Sequence, residues 1–294
     1  MILLCAVAAA GVADRSEEDP DLPKKLFFVA GLLGLILTAP DPAPASTLPH
    51  MTGQVAIYDL SLAKVRTHDV TGATGQMRFA VADGCTGWGT TQHMVLLIRN
   101  ADGSLTKTVT DYVTWETKNG NMLTFNLSEQ DNDGKPVIDD AGTAIHATGG
   151  AGTITYSTPA NRVMTMPRGT LFPMAHTQAI LDAAVRGEKF ISVPLFDGTT
   201  DDGAQHTFVV ILGRGDHGQA PFPALAKLTS TDVDIAFYER KNSDQNPDFR
   251  SQMRYYDDGV ANNIMMDFGD FVLLGKLERL DIPQSNCNTR SPGH

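Results

Sequence analysis

The sequence predicts a mainly β domain, laid out as an antiparallel meander and exported from the cytoplasm. Three observations lead there. Short apolar–polar alternations separated by turn residues recur along the chain. One helical pattern interrupts them near the middle. A leader-like apolar segment precedes them all.

That segment runs from Lys24 to Ser46. Lys24 and Lys25 precede the apolar run Leu26 to Ala39, and Pro40-Asp41-Pro42-Ala43-Pro44-Ala45 follows. A basic start, an apolar middle and small residues before a cut after Ala45 spell a signal peptide. The 14 residues of the run fall short of the roughly 18–20 that span a bilayer. A buried helix is the competing reading, and the lysines and prolines fit it poorly. Residues 1–45 are therefore set aside as a signal segment with an N-terminal extension upstream of the true start. Residues 46–294 form one domain. A lipoprotein cut before Cys5 is the alternative, and it would leave the segment as a tether.

The chain is acidic, with a formal charge of −11. Residues 1–45 hold three basic and six acidic side chains, so the remainder stands at −8. That balance repels nucleic acid and anionic surfaces in general. No nucleic-acid partner is expected.

The alternations follow in order. Ala56, Tyr58 and Leu60 share one face of a first strand, and Met77 and Phe79 share one face of a second over Ala73 to Val81. Gly87 to Arg99 and Leu105 to Trp115 read as a hairpin, with Thr106, Thr108, Thr110, Tyr112 and Thr114 alternating in its second arm. Asn119-Gly120 supplies the next turn, suited to paired positive φ angles, and leads into Met122 to Leu127. Shorter strands are expected over Val137 to Asp139, Ala141 to Ala147, Gly152 to Tyr156 and Arg162 to Met166. The helix is expected over His176 to Arg186, with Ala179, Ile180, Ala183 and Ala184 on its packed face and Gly187 as its stop. Strands return over Lys189 to Leu195, Gln205 to Leu212, Thr231 to Arg240, Phe249 to Tyr256, Ala261 to Phe268 and Phe271 to Leu280. The run Phe208 to Leu212 reads as buried throughout.

Once the leader is removed, Cys85 and Cys287 remain. In an oxidising compartment an even pair reads as a disulfide, with two free thiols as the alternative. Closing a loop of about 200 residues would stabilise the fold by roughly 4–5 kcal/mol in the chain-entropy treatment.

Several motifs invite chemistry and fail their own tests. Asp131-Asn132-Asp133-Gly134 starts like a calcium loop, but the twelfth position is Gly142 instead of Glu. A polar hairpin loop is expected there. Asp201-Asp202, Asp232 with Asp234 and Asp257-Asp258 are paired acids at turn or strand spacing. None of the eight histidines sits in His-x-His or His-x-x-x-His spacing. No serine has the Gly-x-Ser-x-Gly context. No catalytic residue, metal site or cofactor is assigned. His176 is expected to cap the helix start. Asp267 and Asp270 flank Phe268-Gly269 and are expected to cap backbone amides at a bend.

Taken together, several features form a pattern. They are His50 with Tyr58-Asp59-Leu60, Gly84-Cys85 before Gly87-Trp88, Phe172-Pro173 ahead of the helix, and Pro194-Leu195-Phe196-Asp197-Gly198. The ending Met266-Asp267-Phe268-Gly269-Asp270-Phe271, closed by Cys287, completes it. In order and spacing the chain resembles the DUF1849 family of EipB-like periplasmic proteins over roughly residues 48–287. The resemblance implies a single long antiparallel β-spiral with a few short helices and a disulfide joining Cys85 to Cys287. It implies a non-enzymatic contribution to cell envelope integrity. It also implies partners among other periplasmic envelope proteins, one class carrying tetratricopeptide repeats. Trp88 and Phe172 become candidate interaction residues, together with His176, Asp267 and Asp270. The competing function is a carrier of lipid or another hydrophobic ligand, with glycan as a further ligand class. Met94, Met122, Phe125, Met164, Met166, Phe208, Met253, Met265 and Met266 would then line a cavity, or else form ordinary core. A hydrolase is the third reading.

Overall fold

The structure is a computed structural model that describes residues 49–147, 151–159, 162–216, 220–239, 246–285 and 287. The leader from Lys24 to Ala45 lies outside the described residues.

Eight strands come first: β1 (Gln54–Val65), β2 (Val70–Asp83), β3 (Gly87–Asn100), β4 (Leu105–Thr117), β5 (Met122–Gln130), β6 (Pro136–Ile145), β7 (Gly152–Thr158) and β8 (Arg162–Met166). The helix α1 (Pro173–Val185) follows. Six strands complete the chain: β9 (Phe190–Leu195), β10 (Gln205–Gly215), β11 (Ser230–Tyr238), β12 (Phe249–Tyr256), β13 (Ala261–Asp267) and β14 (Phe271–Asp281). A short 3-10 turn covers Pro223–Leu225. Val137 to Ala147, expected as two segments, holds the single strand β6.

All fourteen strands form one antiparallel sheet in the order β8-β7-β6-β5-β4-β3-β2-β1-β14-β13-β12-β11-β10-β9. Every neighbour but one is also a sequence neighbour. The exception is the β1–β14 seam, which runs from Val55↔Asp281 to Val65↔Phe271. The chain therefore builds eight strands outward from β1. It crosses to the far edge through α1 and builds six strands back.

The two edges do not pair as strands. Instead the β9 end is tucked against the inner face of the first half. Leu195 packs with Tyr112 and Leu127. Phe196 packs with Phe125, Tyr156 and Phe172 in the largest aromatic part of the core. The Tyr112 hydroxyl donates to the Asp197 carbonyl, and Tyr156 donates to Thr200 at 3.0 Å. Burying these large rings removes apolar surface from water, worth roughly 1.5–3 kcal/mol for each full side chain. That gain rolls the sheet into a spiral.

The alternation read from the sequence sets the two faces. Ala56, Tyr58 and Leu60, Met77 and Phe79, and Tyr112 all point inward and are buried. Most of the Met and Phe residues weighed as a cavity lining are core: Met94, Met166 and Met266 are fully covered, and Phe125 and Met253 nearly so. The run Phe208 to Leu212 departs from expectation. Only Val209 and Ile211 are buried, while Phe208 and Leu212 are 38% and 59% exposed. α1 covers the face of β10 that carries Thr207, Val209 and Ile211, while Phe208 and Leu212 lie on the other face, where Phe208 stacks on Phe190.

Cys85 and Cys287 are bonded across 202 residues, with Cα atoms 5.2 Å apart. Cys85 sits in the β2–β3 turn at φ +66°. The bond ties the segment after β14 to that turn. Ser285 adds a hydrogen bond to Asp83 at 3.1 Å.

Candidate functional site: a cleft at the helix N-terminus

The helix starts three residues earlier than its periodicity suggested, because Pro173 has the fixed φ of a first helical residue. Phe172 is its N-cap and offers no side-chain acceptor. The unsatisfied amides of the first turn are met from another element. Glu116 on β4 accepts from Met174 N at 2.6 Å and from Ala175 N at 2.9 Å. It does for α1 what Ser or Asp does at an ordinary N-cap, from 58 residues away. Glu116 is only 2% exposed. Burial pushes its carboxyl up to about 7, against the opposing pull of the two amides.

His176 is consequently not the cap. Its ring lies fully inside, with Nε2 3.0 Å from the Thr207 hydroxyl. Burial lowers its pKa to about 3, so the imidazole is neutral.

Beside the Glu116–helix junction lies a cleft of about 690 Å³. One wall is α1, through Met174, Ala175 and Ala179; Pro49 to Met51 lie opposite. Trp88, Leu171 and Phe172 also contribute. The small Ala175 and Ala179 side chains keep that wall low. Gln178 bridges the two walls, donating to Pro49 O at 3.4 Å and to Asp182 at 2.8 Å.

Lys118 stands at the margin. Its Nζ lies 4.4 Å from the Trp88 ring centre and 2.6 Å from Asp83 Oδ1. Burial alone would raise the Asp83 carboxyl. Lys118, the Cys85 amide and Ser285 together hold it below its ordinary value. The disulfide thus anchors the turn that sets the Lys118 position. His146 packs on Phe172 at 4.9 Å, and burial lowers its pKa.

Trp88 and Phe172, candidates from the sequence, therefore meet in one cleft. Asp267 and Asp270 lie elsewhere, at the β13–β14 turn. Asp267 accepts from Gly269 N at 3.0 Å and pairs with Arg66. Asp270 accepts from Arg66 N at 2.8 Å through its backbone carbonyl. The sequence reading missed Glu116. The signal was present: the Thr106-to-Thr114 alternation, extended by one step, places a carboxylate on the interior face.

A second concavity, of about 590 Å³, opens on the outer face over β1 to β5. Val55, Ala80, Ala82, Val113, Trp115 and Pro283 make it apolar. Trp115 lies flat over the β2–β3 turn. A Cβ at Gly84 or Gly87 would come within 2.3 or 2.6 Å of its ring. Those two glycines are required for that close approach.

The acid pairs are answered by arginines. Arg162 meets Asp201 and Asp202, Arg254 meets Asp232, Arg250 meets Asp234, and Arg214 meets Asp257. In the calcium-like loop, Asp131 Oδ1 accepts from Asp133 N and Lys135 N, as in a hairpin turn. No metal-holding group of His, Cys, Asp and Glu occurs among the described residues. Ser192 and His206 lie 2.7 Å apart on an exposed strand face, outside both clefts.

A single antiparallel sheet, with its edges joined by a helix and a disulfide clasp across its turns, defines a β-spiral fold. The chain belongs to the EipB-like family, whose profile matches residues 45–284. It is 26% identical over 271 residues to the cell envelope integrity protein EipB of Brucella abortus, covering 90% of this chain and 93% of that one. It also matches the crystal structure of a β-barrel-like DUF1849 protein from Brucella abortus. There the TM-score is 0.73 at 25% identity, over 81% of this chain and all of the other.

Proposed function

We propose that the chain is a non-enzymatic periplasmic protein that supports cell envelope integrity by holding a segment of another envelope protein in the α1 cleft. The cleft carries this reading. It is preformed, it mixes apolar side chains (Trp88, Leu171, Met174, Ala179) with polar ones, and its charged groups are already engaged with neighbours. Both Glu116 oxygens serve helix amides, which leaves the carboxylate committed to structure. Such a site suits docking of apolar side chains within a polar rim. The leader, cut after Ala45, and the disulfide support the compartment. An envelope protein with tetratricopeptide repeats is the partner class that the resemblance nominates.

A photo-crosslinking residue at Ala179, in intact cells, tests this. An envelope protein is expected to be captured, and Ala175→Trp is expected to abolish its capture while the fold is retained. Capture of lipid or glycan alone would overturn the reading.

The outer groove favours a second reading, a carrier of a hydrophobic ligand. Lipid co-purifying with the chain and displaced by Val113→Lys would support it. Chain purified from cells without delipidation that carries no lipid would remove it.

A further inference from the structure

The outer face carries a site of different chemistry. Four residues in adjacent strands form one row: Arg250↔Asp267, Asp267↔Val272 and Val272↔Lys64 pair in turn across β12, β13, β14 and β1. Cations stand at the two ends of the row. Val272 is short, and a cleft of about 180 Å³ opens there, lined also by Arg66 and Gln252.

Lys64 reaches this face through an irregularity. Strict alternation would place it inward with Leu60 and Leu62. The pairing of β1 with β14 skips Ala63, so Leu62 faces Leu273 and Lys64 faces Val272. Leu273 and Val272 are consecutive and point to opposite faces. The bulge therefore turns Lys64 outward, a common use of this device.

The guanidinium groups are fixed in place. Arg66 grips Asp267 through Nη1 and Nη2. Arg250 grips Asp234 through Nε at 2.6 Å and through Nη2 at 2.5 Å. Gln252 also donates to Asp234 at 2.6 Å. Lys64 has no carboxylate partner among the described residues. Three cations thus face two carboxylates, a local positive excess on a chain of formal charge −11. Arg66 and Arg250 are close enough to interact, so one anion could be shared between them.

We propose that the Lys64–Arg66–Arg250 cleft binds a phosphate-class oxyanion. Tetrahedral oxygens suit convergent donors from two braced guanidinium groups and a mobile ammonium. The anion is either free phosphate or the headgroup of an anionic phospholipid.

Backbone amide shifts of the disulfide-bonded chain, titrated with inorganic phosphate against sodium chloride at equal ionic strength, test the site. Saturable shifts around Lys64 and Val272 are expected with phosphate alone. Lys64→Gln and Arg250→Gln should each weaken binding by at least about tenfold. Lys64 is exposed and has no carboxylate partner among the described residues, so its variant keeps the fold. Flotation with pure phosphatidylglycerol or pure phosphatidylcholine vesicles identifies the source. Flotation with the former alone, competed by phosphate and lost in Lys64→Gln, assigns a headgroup. Phosphate binding without flotation assigns the free anion. Equal shifts with chloride, no shift at all, or binding unchanged in Lys64→Gln would each overturn the proposal.

Discussion

Glu116 and Asp234 are both covered carboxylates on strands, yet they are held in opposite ways. Glu116 lies inside the spiral, and its two oxygens accept helix amides. Asp234 lies under the outer face and is gripped by Arg250, with Gln252 as a second donor. For Glu116, desolvation outweighs the two amides and raises the pKa to about 7. Asp234 instead meets a guanidinium that is itself half exposed, where water screens the attraction. A carboxylate that organises a buried helix start has few substitutes. One that completes a surface ladder has many.

The largest effect should come from breaking the inner contact. Glu116→Ala leaves the Met174 and Ala175 amides buried without an acceptor. It is expected to cost about 2–4 kcal/mol, measured by urea unfolding. It should also loosen the α1 wall of the cleft, seen as faster amide exchange at Met174 and Ala175. A loss no larger than that of Asp234→Ala would equate the two carboxylates.

The pH dependence sharpens the same contrast. Burial raises the folded-state pKa of Glu116 to about 7 from its ordinary 4.5. The folded protein therefore holds this proton more tightly than the unfolded chain does. Its contribution to stability is fully present below about pH 4.5 and is lost as pH rises through about 7. The swing is on the order of 2–3 kcal/mol. Urea midpoints at pH 5 and pH 8 should show it, and Glu116→Gln should flatten it. Buried His176 acts in the opposite direction over this interval, so the comparison with Glu116→Gln isolates Glu116, and a pH 5 to pH 8 change that is the same in both proteins would overturn the assignment.

Asp234→Ala should cost about 1–2 kcal/mol, because it strands Arg250 and Gln252 at a partly covered site. The smallest effect is expected for Arg66→Ala. Its pair with Asp267 is exposed on the arginine side, and the loss should stay under about 1 kcal/mol and shrink with added salt. A salt-insensitive loss would move that pair into the same class as Glu116.

Much of this architecture was legible because strand alternation and turn chemistry are local. Asn119-Gly120 marks its hairpin, with Gly120 at φ +68°, and Tyr58, Met77, Phe79 and Tyr112 face inward as their spacing requires. The failures share a cause. From the sequence His176 reads as a cap because Pro173 reads as an approach to the helix, while Pro173 is the first helical residue. Phe208 and Leu212 read as buried from the sequence because a run of apolar residues does not say which of its two faces is covered. Of the cleft, Trp88 and Phe172 were named from their motifs. Glu116 was not, since its partner amides are distant in sequence.

The sequence by itself determined most of the strands and turns, the inward face where alternation is strict, and the pair of cysteines available for a clasp. These follow from backbone geometry and side-chain period, which act over a few residues. The tertiary structure alone decided the β1–β14 seam, the tuck of Leu195 and Phe196 against Tyr112 and Phe125, and the capping of α1 by Glu116. It also decided the bulge that turns Lys64 outward. Each depends on bringing together segments tens to hundreds of residues apart. There, burial and register select one pairing among many that the local pattern permits equally.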